Sequence, residues 1–146
     1  MTSKECEFAG SRFSLPMDWQ EVEHGPDLVA FQSPDSRCRV TASVLRLARK
    51  VMPAEFESIC AHRLGAEKRT SSDCVFLPES PRPQQVRDGQ VFFYSGINKE
   101  SKRVFSGYMR PIEDCVFTLY VESIGIAFAE HVKGFAEIAK TVRHRP

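Results

Sequence analysis

Three apolar-rich segments, residues 91–97, 103–110 and 115–122, follow one another with only Asn98-Lys-Glu-Ser101 and Pro111-Ile-Glu-Asp114 as links. A parallel crossover needs a dozen or more residues, usually a helix, so these segments must fold as an antiparallel meander. Asp88-Gly89 ahead of them is a hairpin signal. Phe92, Phe93, Tyr94, Phe105, Tyr108, Phe117 and Tyr120 supply large cross-strand contacts. Phe92 and Tyr94 share one face and Phe93 takes the other. With apolar residues on both faces, either both are covered or one is a binding surface.

The rest of the chain supplies what covers a sheet. Residues 12–15, 20–24 and 27–32 predict short strands punctuated by Pro16 and Gly25-Pro26. After the turn Ser33-Pro-Asp-Ser36, residues 37–47 alternate. Cys38, Val40, Ala42 and Val44 point one way, and Arg37, Arg39, Thr41 and Ser43 the other, as in a strand with one wet face. From Pro53 the period changes, and Phe56, Ile59, Cys60 and Leu64 form a helical stripe that fades near Gly65. The proline-rich stretch 70–85 reads as an extended connection with one short strand at 74–77. A last helix is predicted over 126–142, with Phe128, Val132, Phe135, Ala139 and Val142 on its apolar face and the basic end Lys140–Arg145 closing it. The order strands, helix, strands, helix predicts an α+β fold, a twisted antiparallel sheet with helices packed on it. One domain over residues 8–146 follows a short N-terminal tail, 1–7.

Composition narrows the function. The net charge is +1, without the basic excess of a dedicated nucleic-acid binder. The N-terminus has no apolar leader and no run approaches a membrane span, so the expected location is the cytoplasm, with no membrane partner. Five cysteines without paired spacing predict free thiols rather than a zinc site or disulfides. Cys38, Cys60 and Cys115 read as core, and Cys6 and Cys74 as more exposed. His24, His62, His131 and His144 are scattered and read as surface or boundary residues. No serine-hydrolase elbow, Walker loop or dinucleotide fingerprint is present, so neither an enzyme nor a bound cofactor is expected. Glu21, Glu23 and Asp27 read as a solvated acidic edge.

The opening Phe13-Ser-Leu-Pro-Met-Asp-Trp19, a Phe-x-Leu-Pro-x-x-Trp pattern, holds the chain's single tryptophan. With the order of elements that follows, it resembles the Mog/PsbP-like family, an α/β/α sandwich. The resemblance implies a binding or chaperone module, nearest to cytosolic bacterial adaptors that load effectors of type VI secretion. It transfers no binding residue, because the matching motif is structural.

Two readings of the sheet surface stay open. Helices on both sides would bury the aromatic meander. Otherwise an apolar groove holds a partner's helix, lined by Phe105, Tyr108, Phe117 and Tyr120 from the meander and by Val29, Phe31, Val40, Val44 and Leu45 from the earlier strands. The occupant would be apolar helices of a secreted effector, and such a surface also permits a homodimer. The alternative function is a regulator that binds a folded protein through a basic strand surface carrying Arg37 and Arg39, continued by Arg46 and Arg49.

Overall fold

A computed structural model describes residues 2–70 and 73–144. The chain opens with β1 (Ser3–Phe8), β2 (Ser11–Pro16), β3 (Gln20–His24), β4 (Leu28–Gln32) and β5 (Cys38–Arg46). Helix α1 (Pro53–Thr70) follows, then β6 (Cys74–Phe76), β7 (Gln84–Val86), β8 (Gly89–Asn98), β9 (Arg103–Ile112) and β10 (Cys115–Ile124). Helix α2 (Phe128–Ala139) and the short β11 (Arg143–His144) end it. The main sheet runs β3-β4-β5-β10-β9-β8-β6, with β7 also on β8, and its pairings are antiparallel. A second, small sheet has the order β1-β2-β11.

The central strand β10 shows why two covering layers are needed. Val116 and Tyr120 bury into a core closed by Phe56 and Cys60 of α1, with Phe76, Phe92, Phe105 and Met109. Phe117, Leu119 and Val121 bury on the opposite face, under Phe13 and Leu15 of the small sheet and Phe135 and Ile138 of α2. Successive residues of one strand therefore feed two separate cores. The Phe13 ring meets Phe31 edge-on at 6.2 Å, which fixes the small sheet over β4.

On the α1 face, β8 and β9 are locked by glycines opposite aromatics. Tyr94 pairs with Gly107 and Gly96 with Phe105 across the ladder. A Cβ at Gly107 would stand 2.2 Å from the Tyr94 ring, and one at Gly96 would stand 2.5 Å from the Phe105 ring. Each ring lies where a partner side chain would otherwise stand. The Tyr94 ring is held from its far end, since Arg63 Nε donates to its hydroxyl at 2.9 Å.

Several features differ from the sequence reading. The expected tail is mostly strand: Ser3–Phe8 pairs with β2 in full register, with Cys6 and Phe8 buried, and Met1 lies outside the described residues. Ala9 and Gly10, both at positive φ, close that hairpin. Helix α1 continues past Gly65 to Thr70. Its last turns are held by charge: Glu67, 8% exposed, meets Arg63 at 3.8 Å and Arg103 at 3.6 Å, while Arg103 also holds Glu122 at 2.9 Å and donates to the Tyr120 hydroxyl. The buried residues of α2 are His131, Phe135 and Ile138; Phe135, Ala139 and Val142 pack on the core as expected, but His131 takes the place expected of Val132. The basic end does not extend the helix. Arg143–His144 pairs with Ser11 and Arg12 of β2, and Arg145 lies outside the described residues. Arg143 still serves the helix end, donating to the Lys140 carbonyl at 2.9 Å.

Gly107→Ala is expected to lower the unfolding free energy by about 1–3 kcal/mol, because the Tyr94 ring has no room to move. Gly134→Ala on α2, where an added Cβ meets nothing within 4 Å, should instead leave stability unchanged or raise it by up to about 1 kcal/mol. Urea denaturation of the two variants checks this, and equal effects would show that the ring does not fill that space.

Candidate functional site

Of the two readings of the sheet surface, the structure shows the covered one: of the residues offered as an apolar groove, only Leu45 is exposed. Val40, Phe105 and Phe117 are fully buried, and Val29, Phe31, Val44, Tyr108 and Tyr120 are at most 8% exposed. The physical reason is coverage from both sides: α1 lies over Phe105 and Tyr120, and α2 with the small sheet lies over the others. Of the meander aromatics, Phe93 remains open to solvent, resting against Tyr108 at 5.2 Å and Phe135 at 6.5 Å. The basic strand surface is partly neutralised. Arg39 faces Glu23 at 3.5 Å, Arg46 meets Asp27 at 2.8 Å and Arg49 meets Glu55 at 3.1 Å, while Arg37 is exposed. The first two contacts also account for part of the acidic edge read from sequence.

A concave site lies elsewhere, on the α2 side. A cleft of about 770 Å3 opens between α2, the β2–β3 turn and the β4–β5 turn. Its apolar lining includes Leu15, Trp19, Val121, Ile126, Phe135 and Ile138. None of the residues offered from sequence as partner-binding lines it.

Each wall has a local cause. After Pro16 the chain turns, the Trp19 amide donating to the Pro16 carbonyl at 3.2 Å. That turn presents Asp18 and Trp19 to the cleft, and Lys4 Nζ steadies it by donating to the Trp19 carbonyl. The second wall is the Ser33–Ser36 turn, where the Ser33 hydroxyl donates to Asp35 at 2.7 Å and accepts from the Cys38 amide at 3.1 Å. The Ser33 hydroxyl and the Arg37 amide hold the Asp35 carboxyl below its ordinary range. The third wall is α2, contributing Glu130, Gly134 and Glu137, the last paired with Lys140 at 2.7 Å.

A hydroxyl–imidazole chain runs through the floor, where Ser123 and His131 line the cleft. His131 Nδ1 lies 3.0 Å from Ser123 Oγ and Nε2 lies 3.0 Å from Ser106 Oγ. Ser106 continues to Ser95 at 2.6 Å, and the Ser123 hydroxyl donates to Cys38 Sγ at 3.4 Å. His131 is therefore a buried tie between α2 and the sheet, against the surface reading of it. A second, half-buried imidazole, His144, sits between Ser11 Oγ at 2.6 Å and Tyr108 Oη at 2.9 Å. Burial pushes both imidazoles down to about 4, so both are neutral at pH 7.

The groups around His131 do not assemble a nucleophilic triad. Ser123 and His131 have the spacing of a nucleophile and its base, but the second imidazole nitrogen meets a serine, not a carboxylate. With its basicity held near 4, the imidazole is a weak base at neutral pH. Burial raises all five thiols, Cys60 to about 12, which disfavours the nucleophilic thiolate. Cys6, expected to be the more exposed kind, is buried. Among the described residues no three His, Cys, Asp or Glu side chains converge as a metal site would require, and no helix is long and apolar enough to cross a membrane.

Sequence reasoning missed Asp18, Glu130 and His131 and read Trp19 as a fold motif. One signal was available: His131, Phe135 and Ile138 stand at i, i+4 and i+7, the spacing of a buried face.

No family model and no curated protein matches the chain. Solved structures do. The cyanobacterial PsbP (CyanoP) from Synechocystis sp. PCC 6803 superposes with a TM-score of 0.76 at 9% identity, covering 98% of this chain and 92% of that one. The Saccharomyces cerevisiae Ran-binding protein Mog1p gives 0.63 at 12% identity, covering 99% and 96%. A protein from Bacteroides thetaiotaomicron gives 0.51 at 14% identity, covering 94% of this chain but 46% of that one. The chain has the Mog1/PsbP-like fold, a mixed α+β arrangement of antiparallel sheet and two helices.

The two neutral histidines set a pH dependence. An unfolded histidine takes its proton near 6.5, whereas His131 and His144 resist it down to about 4. Between those values the unfolded state binds more protons, so stability falls as pH falls, by up to about 1.4 kcal/mol per pH unit for each imidazole. Replacing His131 with Gln is expected to flatten the slope of unfolding free energy between pH 6.5 and 4.5 by about that amount. Parallel wild-type and variant curves in urea titrations would rule this out.

Proposed function

We propose that this chain is a non-catalytic protein-binding module whose cleft beside α2 receives an apolar segment of another polypeptide. The observation that carries this reading is the cleft itself: about 770 Å3, open to solvent, with Leu15, Trp19, Phe135 and Ile138 in its lining. Concave, mostly apolar surfaces with a few placed polar groups are the usual form of binding sites. Burial of a partner's side chains there contributes ~25 cal/mol per Å2 before ordering costs are subtracted. Support also comes from the Mog1p neighbour, which is a Ran-binding protein and so engages a protein partner on the same fold.

The finer role is that of an adaptor or chaperone that shields apolar segments of a secreted effector until delivery. Five free thiols suit a reducing compartment, and the cytoplasm is the proposed location. A regulator docked through the basic strand is less well supported, because Arg39, Arg46 and Arg49 each already face a carboxylate.

Gly134 gives a clean test. It lines the cleft on a helix, and nothing lies within 4 Å of an added Cβ. Gly134→Leu places an apolar side chain at the cleft wall while improving helix propensity, and urea denaturation is expected to show the fold retained. Twelve-residue peptides selected by display against the wild-type protein are expected to bind with a negative heat-capacity change and to lose at least about tenfold in affinity on Gly134→Leu. Selected peptides that ignore the substitution, or none selected at all, would sink the reading.

A further inference from the structure

The cleft is apolar within but acidic where it meets solvent. Asp18, Asp35, Glu130 and Glu137 line it, and the only Lys or Arg among its described lining residues is Lys140, already bonded to Glu137. The chain as a whole is near neutral, with 20 Lys and Arg against 19 Asp and Glu, so this excess is local. The carboxylates come from three separate elements: Asp18 from the β2–β3 turn, Asp35 from the β4–β5 turn and Glu130 from the first turn of α2. Asp18 and Glu130 are exposed. Asp35 is held ionised by its turn. His131 in the lining is neutral at pH 7 and does not offset them.

From this charge complementarity we infer that the segment seated in the cleft is a basic amphipathic one, a large apolar side chain with Lys or Arg beside it. The apolar anchor enters against Leu15, Phe135 and Ile138, and the flanking cations stay at the mouth opposite Asp18, Asp35 and Glu130. Trp19, half-buried against the core, also lines the cleft. The cations steer and select, while the apolar contact holds. An apolar segment flanked by acids would meet like charge on entry and be refused. This inference rests on the cleft being the docking site.

Two peptides separate the ideas, identical in an apolar Leu-Phe-Leu centre and flanked by Lys in one and Glu in the other. Binding is read from the fluorescence of Trp19, the single tryptophan, and by calorimetry at low and high salt. The Lys peptide is expected to bind at least about tenfold more tightly than the Glu peptide. Exposed charge pairs are weak singly and screened within about 10 Å at 0.1 M salt, so the preference should shrink at high salt. It should also shrink in the double variant Asp18→Asn, Glu130→Gln, whose exposed positions make no hydrogen bond that the fold needs. Asp35 is left intact because its turn depends on it. Equal affinities, or a preference untouched by the double variant, would overturn the charge inference and leave the cleft reading standing, provided Gly134→Leu abolishes both. Binding of neither peptide would overturn both.

Discussion

The central strands of this protein are apolar on both faces, and the rest of the architecture answers that constraint. A sheet with one wet face needs a single covering layer. Strand β10 puts Val116 and Tyr120 into one core and Phe117, Leu119 and Val121 into another. Each side must then be closed by something amphipathic. Helix α1 closes one side. The other is shared by α2 and a three-stranded sheet made from both ends of the chain, since β11 pairs with β2. That division of labour creates the cleft. Where α2 and the two turns fail to meet, a gap remains, floored by the core and walled by loops. Loops carried on a rigid scaffold are a frequent place for binding.

The two sides are fastened by different chemistry. On the α1 side the tie is ionic. Glu67, Arg63, Arg103 and Glu122 join the helix to β9 and β10, with the Tyr94 and Tyr120 hydroxyls as further partners. Of these ions Glu67 is buried and the others are half-buried, and a buried carboxylate is retained where it is paired, because leaving its charge alone is costly. On the α2 side the tie is neutral. His131 spans Ser106 and Ser123, and His144 spans Ser11 and Tyr108. The α2 face therefore presents a cleft whose floor carries no charge while its mouth is acidic. That contrast is the basis of the preference proposed above for a basic amphipathic segment.

Much of the fold was legible from sequence because its signals are local. Four-residue links force antiparallel neighbours, and strict alternation over residues 38–44 forces one inward face. A change of period at Pro53 marks a helix. The errors have local causes too. Residues 3–8 carry Lys4, Glu5 and Glu7 and look like a solvated tail, yet Cys6 and Phe8 alternate inward once the Ala9-Gly10 turn folds them onto β2. His131 counts as polar in any periodicity argument, which moved the helix stripe towards Val132. Only its two serine partners, distant in sequence, make it a core residue. The site was far less legible. Trp19, Asp35 and Glu130 are far apart in the chain, and each has an ordinary local role in a turn or on a helix.

The sequence by itself determined that an antiparallel sheet with residues to bury on both sides would form, and that two amphipathic helices were available to cover it. It determined this because hydrophobic periodicity and link length act between near neighbours. Which face stayed open was decided only in three dimensions. The aromatic residues that sequence offered as a groove became core, because two layers press on them. The concavity appeared instead at the mouth of α2, where three chain segments converge without filling the space between them. Its acidic character belongs to that convergence and to no single stretch of chain.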